Sequence, residues 1–243
     1  MQIIKKYDRM YRICPKKMRG IPKYLLENAA DPPKSKKCLT DADVKILLDG
    51  HTVFEEKVDG GVVGIAWNGD MHLAIGKHSM INPYDNSKKF YGLNSWIYAN
   101  YEKIQTIPLG WVVHGEWLRS CHQIFYDELP DYFLAFDIWD GHRYLDLQSR
   151  SDMLHKLGFA EVPLIYSGDN LDVEDVLCIA DGLSVSNKSR FSSSEIFEGI
   201  VIKNYEKQLY GKYVRREFME SMEIHWLEQP LIENKLKVHK KEL

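Results

Sequence analysis

The chain has 243 residues, 44% of them apolar and 28% charged, which supplies a core and excludes wholesale disorder. No apolar run approaches the ~20 residues of a membrane helix, and the N-terminus MQIIKKYDRMYRICPKK lacks the apolar stretch of a secretory signal, so an intracellular, cytoplasmic protein without a membrane partner is expected. The net charge of −3 is unevenly spread: residues 1–37 carry eleven Lys/Arg against three acids (+8), and the remaining 206 residues are −11, so an acidic chain can still hold phosphate locally.

The basic segment mixes aromatic and proline residues without clean periodicity. TDADVKILLDG reads as a helix, with Thr40 as cap, Asp43 three residues on, and Gly50 as stop. HTVFEEKV, GVVGIAW and MHLAIGK read as strands, the last two joined by an Asn68-Gly69 hairpin turn. WIYANYEKI has helical character, and GWVVHGEWL and DYFLAFDIWDG are strands. SRSDMLHKLGF is a helix closing at Gly158, and DVEDVLCIADG is another, capped by Asp172 and closing at Gly182. FEGIVIKN and LYGKYVRREF are strands, and MESMEIHWLEQ is helical. The expected fold class is α+β, mainly antiparallel sheets with helices inserted between strands. Cys14, Cys38, Cys121 and Cys178 show no CxxC pairing and read as free thiols in a reducing compartment.

Within this pattern Lys57-Val58-Asp59-Gly60-Gly61 stands out. A lysine amine is nucleophilic only when neutral, so its pKa must fall through desolvation or a neighbouring cation. Lys57 ends an apolar strand, Asp59 is placed to orient the amine or a sugar hydroxyl, and the glycines let backbone approach a bulky, phosphate-bearing ligand. Four further segments complete an inventory for nucleotidyl transfer: Glu116 in HGEWL, Phe136 before Asp137 in FLAFDIWD, Glu198 and Lys203 in EGIVIK, and Lys212 with Arg215 in GKYVRREF. Taken singly, Glu116 also fits an ordinary edge-strand acid, Phe136 a core aromatic, and Asp137 and Asp140 the bracket of a strand end. His78, His114 and His122 lack metal-ligand spacing and read as structural. NKSRFSSSE reads as a surface loop whose Lys188 and Arg190 could touch RNA.

In this order the segments resemble the covalent nucleotidyltransferase superfamily of ATP-dependent RNA and DNA ligases and mRNA capping enzymes, from about Phe54 to Phe218, with the RNA ligase branch resembled most. The resemblance implies a ligase adenylation domain with an ATP-grasp-like clasp, and implies Lys57 as the adenylated lysine. Glu116 looks like an acid that binds nucleotide and metal, Phe136 like the purine platform, Glu198 like the metal-binding acid, and Lys203 like the end of that motif. Lys212 looks like the phosphate-contacting lysine, and Glu56, Asp59, Gly60 and Lys77 join the nucleotide-binding set. Lys77 stands where RNA ligases usually carry arginine, and Lys212-Tyr213-Val214 replaces a K-x-K pattern. The implied cofactors are ATP, bound covalently as AMP, and Mg²⁺ or Mn²⁺. The implied partners are RNA ends and an end-healing kinase or phosphatase, and the protein is expected to be a monomer.

Three regions are expected: a basic segment and short helix at 1–50 packed on the domain, a nucleotidyltransferase domain at 51–218, and a short helical tail at 219–243. Only 31 residues follow Lys212, fewer than the roughly one hundred of a C-terminal OB-fold. No OB-fold is therefore expected, which favours RNA ligation over capping or ordinary DNA ligation. A minimal DNA nick ligase and a nucleotide-binding scaffold with weak turnover are the alternatives.

Overall fold

Two sheets carry the molecule, described here from a computed structural model over residues 4–27, 29–31, 38–82, 85, 87–186, 189–193, 196–222 and 226–238. The strands are β1 (Tyr11–Arg12), β2 (His51–Glu56), β3 (Gly61–Trp67), β4 (His72–Gly76), β5 (Val112–Trp117), β6 (Phe133–Trp139), β7 (Leu164–Asp169), β8 (Gly199–Asn204) and β9 (Leu209–Val214). The helices are α1 (Lys23–Leu26), α2 (Asp41–Leu48), α3 (Leu93–Ala99), α4 (Tyr101–Gln105), α5 (Leu147–Leu157), α6 (Val173–Ser186) and α7 (Arg216–Ser221). One sheet has the order β1-β9-β8-β2-β7 and the other β4-β3-β5-β6. Among the strand pairings of the described residues the short β1–β9 pair alone is parallel, so the α+β class with mainly antiparallel sheets is observed.

Local chemistry explains most element ends. Thr40 Oγ1 accepts from the Asp43 N–H at 3.1 Å while the Asp43 carboxylate accepts from the Thr40 N–H at 3.0 Å, a capping box that starts α2. Asp146 caps α5 through the Ser149 N–H, and Gly158, at φ 72°, closes it. Each sheet covers its own apolar cluster. Ile65, Ile97, Trp117 and Phe133 sit in one, and Leu47, Phe54, Ile200 and Tyr213 in the other. A third cluster, with Tyr7, Val58, Tyr126, Phe136, Tyr144 and Val214, joins the two sheets. Among the described residues no helix is long and apolar enough to cross a membrane.

The structure departs from the sequence reading in five places. WIYANYEKI forms two short helices, because Asn100 at φ −109° leaves the helical region and turns its side-chain amide onto the Trp96 carbonyl. Helix α6 continues past Gly182 to Ser186, since Gly182 is not among the glycines with left-handed backbone and so provides no stop. Strand β7 carried no sequence assignment. It is a sheet edge with Leu164 and Tyr166 exposed, so the apolar alternation of a half-buried strand is missing. Among its described residues the expected helical tail is helical in α7 and in a 3-10 turn at Trp226–Glu228, with 223–225 and 239–243 outside the described residues; Pro230 follows, and residues 232–237 run against the 119–129 loop. Finally, Cys14 and Cys38 are joined in a disulfide with a Cα–Cα distance of 5.9 Å, correcting the free-thiol reading for this pair. The Arg12–Cys38 bridge lays the second cysteine beside β1, a tertiary contact that spacing does not reveal. Cys121 and Cys178 are free.

Candidate active site

The site is assembled where β2 gives way to the KVDGG loop. Lys57 is the first residue past β2, and its N–H extends the β2–β8 ladder to the Gly199 carbonyl at 2.9 Å. That register places Glu198 beside it, and the Lys57 ammonium donates to the Glu198 carboxylate at 2.8 Å across 141 residues of sequence. Gly199 makes the approach possible: at φ 150°, a Cβ there would collide with the Tyr213 carbonyl of β9. Glu116 comes from β5, Phe136 from β6, and Lys212 from β9, the last paired in register with Arg12 of β1.

These groups meet at a cavity of about 700 Å³ between the two sheets. Lys57, Glu56, Lys77, Glu116, Phe136, Lys203 and Lys212 line it, so seven of the ten predicted site residues are brought together. Glu198 stands behind Lys57 as its ion-pair partner. Phe136 is 9% exposed, with Tyr7 packed edge-on at 4.8 Å, so it is both a cavity wall and a member of the inter-sheet core.

The electrostatics differ from the sequence expectation at the lysine itself. Burial would lower the Lys57 pKa, but Glu198, Glu116 and Asp59 outweigh it and hold the ammonium above its ordinary value. The depressed amine is Lys212, lowered to about 8 by burial and by the neighbouring Lys57 charge. Burial pushes both Glu116 and Glu198 up to about 7, helped at Glu116 by the Glu198 and Asp59 charges and at Glu198 by the Asp59 charge, against the opposing pull of Lys57. Two carboxylates and two amines thus share one poorly solvated space, where moving one proton changes the charge of the whole cluster.

A raised carboxylate pKa destabilises the folded state once the pH passes it. The favourable protonated state of Glu116 is fully present below the unfolded value near 4.5 and is lost as pH rises through about 7. Replacing Glu116 with glutamine is therefore expected to stabilise the metal-free protein at pH 8 by about 1–3 kcal/mol, and to change little at pH 4. Urea unfolding at the two pH values checks this; equal effects at both would place the cause outside the titration.

Three predicted residues are engaged by the protein itself, two of them, Asp59 and Gly60, away from the cavity lining and the third, Glu56, on it. Asp59 does not turn to the cavity: its carboxylate accepts from the Gln123 and Ile124 N–H groups at 2.8 and 3.2 Å, and its own N–H donates to the Tyr126 hydroxyl at 2.7 Å. Gly60 is required by protein, not by a ligand, because a Cβ would meet the Trp117 carbonyl at 2.5 Å and the Glu116 side chain at 2.9 Å. The Glu56 carboxylate is occupied by the Ser189 hydroxyl and the Arg190 N–H. Arg190 thus meets the site through its backbone, while Lys188 lies outside the described residues.

Lys203 reaches the cavity floor, but its ammonium is held by Glu55 at 2.6 Å, Asp137 at 3.1 Å and the Phe136 carbonyl at 2.6 Å. Arg150, unmarked in the sequence reading, joins the same buried group through Glu55 at 2.5 Å, the Phe136 carbonyl at 2.7 Å and Tyr205 at 2.8 Å. Asp137 is therefore the centre of a buried network and not a strand-end bracket. Tyr7, Arg9 and Arg12 also line the cavity, as does His78, read from sequence as structural. The sequence signal for the first three was only the basic, aromatic character of residues 1–37.

Among the described residues no group of three or more His, Cys, Asp or Glu forms a metal cage. Glu116 and Glu198 suit a cation of the Mg²⁺ type, which takes one or two carboxylates and completes its shell with water and phosphate.

No curated protein matches the chain. The Naegleria gruberi RNA ligase with PPi superposes with a TM-score of 0.57 at 15% identity, covering 89% of this chain and 57% of that one. A mutant of the same enzyme with AMP and Mn gives 0.58 at 15% identity over 89% and 57%, and a mutant with ATP and Mn gives 0.56 at 16% over 74% and 53%. This chain therefore spans a little over half the length of those structures, and likeness at this identity shows the fold. The family model described as RNA ligase matches residues 50–216, well over half of the sequence, running from the start of β2 through β9. The chain belongs to the RNA ligase family.

Proposed function

We propose that this chain is an ATP-dependent RNA ligase that joins a 3′-hydroxyl to a 5′-phosphate through a lysyl-AMP intermediate. The observation that carries the reading is the Lys57 amine at 2.8 Å from Glu198, on a cavity shared with Glu116, Phe136 and Lys212. Lys57 gives up its proton, for which Glu198 is the adjacent acceptor. The neutral amine then attacks the α-phosphorus of ATP, and the bond to pyrophosphate breaks. AMP passes to the RNA 5′-phosphate, and the 3′-hydroxyl displaces AMP to seal the strand. Lys212, Lys77 and Arg12 offer positive charge to the phosphates. Glu116 and Glu198 would hold Mg²⁺ or Mn²⁺, which supplies charge neutralisation at phosphate. Lys203 and Glu56 act from behind by fixing the walls, in place of touching nucleotide. The arrangement is ATP-grasp-like in that two sheets close on one nucleotide, with residues 51–218 as the catalytic domain. The ATP, AMP and Mn found with the Naegleria enzyme support the same ligands here.

Matched nicked duplexes, one with RNA and one with DNA at the break, test the reading with ATP and Mg²⁺. RNA sealing is expected. Sealing of DNA alone would make the protein a DNA nick ligase, and self-labelling without sealing of either would leave a scaffold.

If adenine stacks on Phe136, Phe136→Leu weakens ATP binding by about 1–3 kcal/mol. Because Phe136 also packs on Tyr7, some loss of stability accompanies it. Equilibrium ATP titration of the folded variant is the check, and unchanged affinity would make Phe136 purely structural.

The basic segment supports RNA binding beside the cavity, since residues 7–10 and Arg12 form part of its wall. Neutralising Lys16, Lys17 and Arg19 is expected to lower RNA affinity and flatten its salt dependence while self-adenylation survives. Lys16 already pairs with Asp31 at 2.8 Å in an exposed position, so the larger share of the effect should follow Lys17 and Arg19. An unchanged salt slope would move RNA recognition to the C-terminal lysines.

A further inference from the structure

The KVDGG loop is tied to a part of the chain that lies beyond the family match. Asp59 is held by three hydrogen bonds to the loop between β5 and β6: it receives the Gln123 and Ile124 N–H groups and donates its own N–H to the Tyr126 hydroxyl. That loop has little regular structure of its own between Leu118 and Tyr132. Residues 191–193 hold its middle, through the Phe191 carbonyl and the Ser192 and Ser193 hydroxyls, and the C-terminal segment runs along it as a strap. Cys121 N–H donates to the Ile232 carbonyl at 2.8 Å, Leu129 N–H to Lys235 at 3.0 Å, and Lys237 N–H to Leu129 at 2.8 Å.

Asn234 is the centre of the strap and is 1% exposed. Its side-chain Nδ2 donates to the Leu118 carbonyl at 2.6 Å, and its Oδ1 accepts from the Tyr126 N–H at 2.9 Å. Its backbone N–H donates to the Arg119 carbonyl at 2.9 Å, and the next N–H, of Lys235, donates to the Tyr126 carbonyl at 2.8 Å. One asparagine therefore clamps both the first turn of the loop and Tyr126. Leu118 is two residues from Glu116, and Tyr126 bonds Asp59, two residues from Lys57. Both ends of the clamp lie next to groups of the site.

We infer that Asn234 is a positioning residue for the nucleophile loop, acting through Tyr126 on Asp59 and through Leu118 on the end of β5. The inference rests on the ligase reading for its activity readout, but the clamp itself is a property of the fold. The physical reason is loop entropy. The fifteen residues 118–132, with few ladder bonds, cannot hold two amides on the Asp59 carboxylate and a hydroxyl on the Asp59 N–H unless other segments fix them, at roughly 1–2 kcal/mol per residue ordered. Adenylation needs an attacking amine in line with the scissile bond, and a displacement of the order of 1 Å costs about 100-fold in rate.

The test uses the full chain with three variants: Asn234→Ala, Tyr126→Phe, and both together. Tyr126→Phe removes only the hydroxyl that meets Asp59, so it keeps the fold even if Asn234→Ala does not. Amide hydrogen exchange at residues 59, 123 and 124 reads the clamp, and single-turnover self-adenylation with α-labelled ATP reads its consequence. The expected result is faster exchange at those amides in each variant, and a drop of about ten- to one-hundred-fold in adenylation rate at saturating ATP. The ATP concentration at half-saturation should move less than about threefold, which loss of the whole fold would not produce. The double variant should be little worse than either single one, because both cut the same chain of contacts. Asn234→Asp, which keeps the Oδ acceptor for Tyr126, should recover part of the rate. Wild-type exchange and wild-type adenylation in Tyr126→Phe would overturn the inference. If the unmutated protein fails to adenylate, the ligase reading falls. Exchange alone then decides the clamp, and unchanged protection at 59, 123 and 124 in Asn234→Ala would overturn that as well.

Discussion

Lys57→Ala is expected to abolish covalent labelling altogether. Incubated with α-labelled ATP and Mg²⁺ and then denatured, the wild-type protein should keep the label, and with γ-labelled ATP it should keep none, because pyrophosphate leaves. The variant should keep neither. The loss is expected to be complete because, among the cavity lysines, Lys57 is the one paired with Glu198: Lys203 is held by Glu55, Asp137 and the Phe136 carbonyl, and Lys77 and Lys212 come from other parts of the chain. The pH dependence should follow. Glu198, the proton acceptor for Lys57 in the proposed reaction, is pushed up to about 7, so adenylation should rise with pH through about 7 as Glu198 loses its proton. The fold should survive, since the mutation removes one member of a pair whose acid can take up a proton instead. Label on Lys57→Ala at the wild-type level would remove the lysyl-AMP reading.

Arg150→Met should produce the largest loss of stability, about 3–5 kcal/mol. Arg150 and Lys203 face Glu55 and Asp137 in a group where all four side chains are no more than 1% exposed. Tyr7 and Tyr205 add their hydroxyls to Asp137, at 2.5 and 2.9 Å. Two positive and two negative charges balance, so the group is tolerable buried; removing one cation leaves an uncompensated carboxylate without water. Arg150 and Lys203 both also donate to the Phe136 carbonyl, so the damage reaches the cavity wall. Urea unfolding measures the effect, and a change below about 1 kcal/mol would mean that water enters and solvates the acids. Glu55→Gln combined with Arg150→Met should be less harmful than the sum of the two, since the pair is lost together.

Much of the candidate cavity lining was legible in the sequence alone, and the reason is chemical. Lys57, Glu116, Phe136, Glu198 and Lys212 are residue types that a nucleotidyl-transfer reaction requires, and each lies in or directly beside a strand whose pattern is local and visible. The α2 capping box, the Asn68-Gly69 turn and the Gly158 stop were likewise legible, because a cap or a turn is decided by neighbours a few residues apart. What the tertiary structure decided is everything that depends on contact across the chain. The partner of Lys57 is 141 residues away, and that pairing raises an amine that burial alone would lower. Asp59 looked equally suited to sugar or amine and was taken by the amides of a loop some sixty residues on. Lys203 and Asp137 were readable as charges, but that they neutralise each other around Arg150 depends on three elements meeting in one dry space. Gly60 was expected to make room for a ligand and instead makes room for β5, since an absent Cβ does not say what approaches it. The disulfide of Cys14 with Cys38, the edge strand β7 and the strap at 232–237 carry little local periodicity. Their conformations are set by the backbone bonds they make to distant strands and loops, and those exist only once the chain has folded.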